Sequence, residues 1–341
     1  VNSILDEQDL TLLHALQIAP RVSWAEAARV LGTTAATLAS RWERMRSSGM
    51  AWVTVHPVRQ LENVAVALVD VDVDPARKPA VVEALCRDPR AATVEESASG
   101  RDLMVTAIVA DSDSMSRFVL DDLPGTAGVR RVETYSVTEL HWEGSRWRLD
   151  ALDRDQQAAL HAASRPHGGS KLSTIPADYW SLVEALTYDG RRSAADMARL
   201  TGRTPSTVRR QVTRLLASNL LSFRCEVAQL RTRWPLACTW FARVPAPELE
   251  RTVQSLSTLP ELRLCASTVG RSNLVFMVWA QSPGELMRLE RRLNEKLPWL
   301  ELTESALLLR VPKRMGWVLD ADGRSTGDVV PSPAHARRSL R

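Results

Sequence analysis

The stretch from 202 to 215, GRTPSTVRRQVTRL, sets Arg203, Arg209, Arg210 and Arg214 among the hydroxyl residues Thr204, Ser206 and Thr213. Such side chains suit nucleic-acid recognition. A guanidinium forks onto phosphate oxygens or onto guanine O6 and N7, each good bidentate contact being worth about 1–3 kcal/mol of discrimination. Hydroxyls and free amides at a helix start hold phosphate. The same layout stands at 32–45, GTTAATLASRWERM. There Thr33, Ala39 and Ser40 replace Arg203, Arg209 and Arg210, while Thr34, Thr37 and Arg44 are kept and Arg41 stands opposite Gln211. An arginine run on a helix is also compatible with a merely solvated face, so position decides between the two.

A second pair of stretches, SASGRDL (97–103) and STVGRSNL (267–274), has the residue types of a small-ligand turn. Arg101 or Arg271 offers a partner for a carboxylate and Asp102 one for an ammonium. Ser97, Ser99, Ser267 and Thr268 supply hydrogen-bonding walls, and Gly100 and Gly270 permit tight turns. The second stretch carries Ser272 where the first has Asp102, which removes the ammonium partner there. A plain β-turn favours these same residue types, and that alternative stays open.

Both pairs belong to one larger relation. Sliding the chain on itself by 170 positions needs no gap from Leu12 to Ser112. It matches Leu12 to Leu182, Arg21 to Arg191, Ser23 to Ser193, Gly32 to Gly202, Pro75 to Pro245 and Gly100 to Gly270. A period this long implies duplicated domains, since solenoid units run roughly 20–50 residues. In each half the first part reads as three helices. Ser23 and Ser193 cap the second helix, Gly32 and Gly202 end it, and Thr34 and Thr204 cap the third. Val208, Val212 and Leu215 face inward at i, i+4, i+7, as do Leu38, Trp42 and Met45. That is a helix-turn-helix layout, and it puts the arginines on the helix that enters a groove. Strands at 64–73, 92–97, 103–110 and 129–140, with helices after Pro75 and from Ser112, follow in βαββαβ order. The second half repeats this with strands at 236–244, 262–267, 274–280 and 299–310.

The 341 residues are 45% hydrophobic and 25% charged, suiting several globular domains. The net charge of +4 is unevenly placed. Residues 5–55 hold five arginines against five acidic residues, and 175–225 hold eight against four. Residues 58–140 hold nine basic and fifteen acidic residues, and 228–310 eleven and eight. The second helical segment is therefore the basic one. Cys86, Cys225, Cys238 and Cys265 form no CxxC and read as small core hydrophobes of a reducing cytoplasm. No apolar run suits a membrane helix and no secretory leader is visible, so a cytoplasmic location is expected.

With these residues in view, the chain resembles the Lrp/AsnC (feast/famine) transcription regulators in tandem-duplicated form. LDEQDLTLLHALQ, AARVLG, MARLTG and TPSTVRRQVTRL resemble that family's DNA-binding domain, and the two glycine turns its ligand-binding (RAM) domain. The resemblance covers about residues 5–140 and 175–310. It implies an α+β fold: two winged-helix/helix-turn-helix domains, each followed by a ferredoxin-like βαββαβ RAM domain. The boundaries read as 1–57 and 58–140, then an arm and linker at 141–174, then 175–227 and 228–319, with a flexible tail at 320–341. It also implies double-stranded DNA as partner, an amino-acid effector at the turn between RAM domains, an intramolecular pseudo-dimer and a homodimer. No cofactor and no membrane partner are expected. On DNA, Arg203, Thr204, Ser206, Arg209, Arg210, Thr213 and Arg214 are expected to read strongly. Thr34, Thr37, Ser40, Arg41 and Arg44 are expected to make weaker or different contacts.

Two other readings were open. Siroheme decarboxylases resemble the same family and occur as fused pairs, but none of the six histidines lies in 92–110 or 262–280. No Ser/His/Asp, Cys/His, metal-ligand or phosphate-loop spacing is present, so no catalytic residues are expected. An amino-acid-sensing module whose helix-turn-helix domains contact protein fits the neutral first copy, not the basic second. The tryptophans of HWEGSRWRL (141–149) and of RMGWVLD (314–320) read as packed arms.

Overall fold

The computed structural model describes residues 5–57, 64–97, 101–164, 172–218 and 220–333. In chain order it has α1 (Glu7–Ile18), α2 (Trp24–Leu31), α3 (Ala35–Ser47), β1 (Ala51–Pro57), β2 (Ala65–Val73), α4 (Lys78–Arg87), β3 (Ala91–Ser97) and β4 (Leu103–Val109). Then come α5 (Ser112–Ser116), running into a π-helical turn, β5 (Val129–Trp142) and α6 (Arg154–Ser164). The order recurs as α7 (Trp180–Tyr188), α8 (Ala194–Thr201), α9 (Pro205–Ala217), β6 (Leu221–Val227), β7 (Leu236–Arg243), α10 (Leu249–Leu256), β8 (Leu262–Val269), β9 (Leu274–Ala280), α11 (Pro283–Lys296) and β10 (Glu301–Arg314). A hairpin of β11 (Trp317–Leu319) and β12 (Ser325–Val329) follows.

These elements gather into two compact units, each drawn from both halves of the chain. Of the described residues, one holds 5–57, 148–164, 172–218 and 220–228, the other 64–97, 101–147 and 229–333. Segments 170 residues apart thus meet inside each unit.

In the helical unit β1 and β6 pair antiparallel from Ala51↔Val227 to Pro57↔Leu221. Residues of the two halves share a core, in which Val55 of β1 packs with Leu182, Leu186, Met197, Val208 and Val212. The turns before α2 and α8 are cross-braced. Arg21 donates to the carbonyls of Gly190 (2.5 Å) and Arg192 (3.2 Å), and Arg191 to those of Pro20 (2.5 Å) and Val22 (3.0 Å). Burial, with Arg21 beside it, pulls the Arg191 guanidinium down to about 10, and its Cζ lies 3.9 Å from the Trp24 ring centre. His14 of α1 is buried and accepts from the Ala151 amide at 3.0 Å. Burial, with Arg148 adding to it, lowers its pKa to about 4.

In the sheet unit β5 and β10 are long enough to serve both halves. β5 pairs with β2 through 129–136 and with β8 through 136–142. β10 pairs with β7 through 301–308 and with β3 through 308–313. The ring β10-β3-β4-β2-β5-β8-β9-β7 closes on itself, which leaves those strands no open edge. Alternation sends Val69, Val71, Val105 and Ala107 towards α4 and the 112–122 helical segment, and Cys238, Trp240, Phe276 and Val278 towards α10 and α11. The opposite faces meet inside the ring, with Tyr135 and Phe241 at 4.9 Å between ring centres.

One expectation changes. The flexible tail expected from 320 is, as far as 333, part of the sheet. Asp320 accepts from the amides of Asp322 and Arg324, Gly323 turns the chain at φ +74°, and β12 pairs with β11. Residues 334–341, like the SRPHGGSK stretch from 165 on, lie outside the described residues. The arm is packed as expected, with Trp147 buried against Trp234 and Trp279 (ring centres 5.4 and 4.7 Å) and Trp317 also buried. All four cysteines are free, and Cys225, Cys238 and Cys265 are buried.

Candidate functional site

The third helix of each helical segment is positioned by local sequence. The Thr34 and Thr204 hydroxyls accept from the Thr37 and Thr207 amides at 3.1 and 3.3 Å. Gly32 and Gly202 end the preceding helices at φ +66° and +68°, a conformation that glycine adopts without steric cost. Leu38, Trp42 and Met45 on α3, and Val208, Val212 and Leu215 on α9, are buried. This turns the remaining faces outward.

The two outward faces differ. On α9, Ser206, Arg209, Arg210 and Thr213 are exposed. Arg209 and Thr213 bond only within their helix, and among the described residues Arg210 has no hydrogen bond or ion pair. Arg203 and Arg214, by contrast, tie α9 to the segment before α7. Arg203 donates to the Asp178 carbonyl and to Gln211 Oε1 at 3.2 Å, and Arg214 to the Tyr179 hydroxyl at 3.2 Å.

On α3, Thr34, Thr37 and Ser40 are exposed, but Arg41 and Arg44 are engaged by carboxylates of the N-terminal segment and Arg46 by Glu43. Arg41 pairs with Asp6 and Asp9 at 2.8 Å each and bonds Gln8, and Arg44 reaches Asp9 at 2.6 Å. Asp9 is only 1% exposed, so these guanidinium groups balance a buried carboxylate. Sequence could have signalled this, since LDEQD opens the segment with three acidic residues for helix α3 to meet.

The end of β3 and the start of β4 border a cavity of about 690 Å³. Ser97, Arg101 and Asp102 line it together with Lys78, Glu96 and Arg310. Ser99 and Gly100 lie outside the described residues. Lys78 opens α4, and Arg310 arrives on β10 from more than 200 residues away. Sequence reading missed both, since neither lies near the glycine motif. Arg101 does not present its charge to the cavity as expected. Its guanidinium pairs with Asp70 and Glu304 and lies 3.7 Å from the Phe241 ring centre. Burial pushes the Asp70 carboxyl up to about 6, against the pull of Arg101. Asp102 is more open, with one oxygen taken by the Val73 amide at 2.9 Å.

The second turn is different. The Ser267 hydroxyl is 2.7 Å from His141 Nε2, Thr268 donates to the Ser272 carbonyl at 2.8 Å, and the buried Ser272 hydroxyl is 3.0 Å from Thr303. A side chain on Gly270 would stand 3.1 Å from Tyr135. Arg271 is exposed and its carbonyl accepts from Arg243 at 2.8 Å. The strand ladders also correct the alignment of the two turns. Asp70↔Met104 in the first half corresponds to Phe241↔Val275 in the second. Asp102 accepts from Val73 as Asn273 accepts from Val244. The offset here is 171, not 170, because the connection after β6 is one residue longer than that after β1. Arg101 therefore matches Ser272, and Asp102 matches Asn273.

Among the described residues no cluster of His, Cys, Asp or Glu could hold a metal ion, and no helix is long and apolar enough to cross a membrane. None of the described histidines lines the cavity.

Residues 5–46 match the AsnC-type helix-turn-helix domain. The chain is 27% identical over 139 residues to an uncharacterized HTH-type transcriptional regulator of Pyrococcus horikoshii, covering 40% of this chain and 87% of that protein. It is 23% identical over 137 residues to the HTH-type transcriptional regulator LrpC of Bacillus subtilis, covering 40% and 93%. Over a longer span its fold is similar to the crystal structure of the siroheme decarboxylase NirDL, with a TM-score of 0.56 at 14% identity over 91% of this chain and 93% of that one.

Proposed function

We propose that the chain is a sequence-specific, double-stranded-DNA-binding transcription regulator. In this reading both helix-turn-helix domains of a two-fold reader, and both RAM domains of a ligand-binding pair, lie on one chain as an intramolecular pseudo-dimer. A small effector, an amino acid by the family resemblance, modulates DNA binding from the cavity beside Asp102. The observation that carries the reading is α9. It is an N-capped third helix, in a segment laid out like the matched AsnC-type domain, and it offers Arg209 and Arg210 outward with no partner on another element among the described residues. A phosphate or guanine edge completes such groups. Because α3 spends Arg41 and Arg44 on Asp9, α9 supplies the stronger half of the reader, and α3 contributes through Thr34, Thr37 and Ser40.

Selection of random duplex DNA by the purified chain tests this. Enrichment of a site with two unequal half-sites, bound with affinity that falls steeply as salt rises, is the expected result. Absence of enrichment would sink the regulator reading. Association into a homodimer is expected as well, and the mass in solution checks it.

One observation favours a second reading, an enzyme acting on a tetrapyrrole: the fold shared with NirDL over 91% of the chain. Carbon dioxide release from siroheme by the purified chain would support it, and its absence removes it.

A further inference from the structure

The two turns lie in corresponding places, yet only one is built to hold a ligand, and the strand register shows why. In the first half β10 and β3 set Arg310 opposite Glu96. In the second, β5 and β8 set Glu139 opposite Ser267. Lys78 opens α4 where Leu249 opens α10, and Asp102 is matched by Asn273. These four charged groups of the first place are thus lost or reversed in the second.

Bond geometry sharpens the contrast. Lys78 Nζ stands 3.6 Å from Glu96 and 4.0 Å from Asp102, and Arg310 stands 3.7 Å from Glu96. At these separations the groups form loose ion pairs, longer than hydrogen bonds, so they balance one another's charge without being locked together by hydrogen bonds. A ligand can insert between them and gain charge-assisted hydrogen bonds without breaking any. Asp102 keeps one oxygen clear of its bond to the Val73 amide. Asn273, by contrast, is spent at both ends, accepting from the Val244 amide at 2.9 Å and donating to its carbonyl at 2.7 Å. Ser267 is taken by His141.

We propose that the chain holds one effector site, not two, and that this site takes a zwitterion with a polar body. It rests on reading the cavity as the effector site. Asp102 and Glu96 receive the cationic end, and Lys78 and Arg310 the anionic end. Val73 and Leu309 are the apolar residues of the lining, too few to reward an aliphatic or aromatic side chain. The volume of about 690 Å³ falls within the range of small-molecule sites and leaves room for a long chain. Because Arg310 belongs to β10, the site is assembled from both halves and is asymmetric by construction.

Titration calorimetry of the full chain decides this, with L-arginine, L-lysine, L-glutamine and L-glutamate as probes and L-leucine and L-phenylalanine as apolar controls. The expected result is one molecule of a polar amino acid bound per chain. Asp102→Asn, which copies the second half and keeps the Val73 bond, is expected to weaken binding about tenfold or more. Arg310→Gln should do the same without touching the Asp102 bond, and Asn273→Asp should leave the stoichiometry at one. Circular dichroism of each variant separates lost binding from lost fold. Two molecules per chain, or one whose binding responds to Asn273→Asp and not to Asp102→Asn, would overturn the single-site proposal while leaving an effector-binding protein. Binding of the apolar controls alone would overturn the ligand class. If no probe binds at millimolar concentration while the chain still selects DNA, both the proposal and the effector reading fail, and the DNA reading stands.

Discussion

Arg21 and Arg191 each donate two hydrogen bonds to backbone carbonyls of the other's turn, so the two helical segments hold one another by the same residue used twice. Bonds from a charged donor are worth about 1.5–3 kcal/mol each in net terms, and the carbonyls left behind are partly buried. Arg21→Ala is therefore expected to destabilise the helical unit by at least about 2 kcal/mol. Chemical denaturation followed by far-ultraviolet dichroism measures it. An unchanged midpoint would remove the cross-brace from the account of how α3 and α9 are held.

Next to this brace Gly190 gives its amide to the Val53 carbonyl at 2.7 Å, and a side chain there would stand 2.5 Å from a Val53 methyl. Neither neighbour can withdraw cheaply, since Val53 lies in the β1–β6 ladder. Gly190→Ala should cost about 1–3 kcal/mol through overpacking. A melting temperature equal to that of the parent chain would contradict it.

The α9 arginines separate binding from folding. Arg210→Ala removes an exposed charge with no partner among the described residues, so stability should stay within about 0.5 kcal/mol. DNA affinity should fall, and the salt dependence should lose about one phosphate contact. Arg41→Ala should do the reverse, lowering stability because Asp9 loses a partner while buried. Paired melting and binding titrations read both. Loss of DNA affinity in Arg41→Ala alone, with Arg210→Ala unaffected, would invert the assignment of the stronger half.

His14 supplies a pH dependence. Its folded pKa of about 4 lies below the ordinary value of 6.5, because burial, with Arg148 adding to it, disfavours the imidazolium. The unfolded chain therefore takes up the proton first. Stability is full above about 6.5 and declines as pH falls towards 4, by roughly 3 kcal/mol if this group acts alone. His14→Gln should flatten that decline between pH 6.5 and 4. An acid limb of the same steepness in the variant would assign the effect elsewhere.

Much of the architecture was legible from local rules. Caps at Ser23, Thr34, Ser193 and Thr204, and the glycines that follow α2 and α8, specify helix ends by bonds that span three residues, so their pattern survives in one dimension. Apolar segments set between Pro, Gly and Ser in βαββαβ order located eight of the sheet strands. β1 and β6 were not read; among the described residues they form a two-stranded sheet whose partners come from opposite halves of the chain, a pairing with no local signature. The offset of 170 was correct for the second and third helices and the strand after them, and wrong by one for the βαββαβ part that follows. A matching Gly-Arg pair in each turn outweighed a one-residue difference in a connection of no regular pattern.

What the sequence determined by itself was which faces of the third helices are apolar, where the second helix of each segment starts and stops and the third starts, and that the second helical segment is the basic one. Tertiary structure decided which charges remain available, because that depends on partners distant in sequence. Arg41 and Arg44 meet Asp9, Arg101 meets Asp70 and Glu304, and Arg310 reaches the cavity only once β10 has closed the ring. A charge is written in the sequence, but whether it is spent inside the fold or left for a ligand depends on what folding brings within a few ångströms of it.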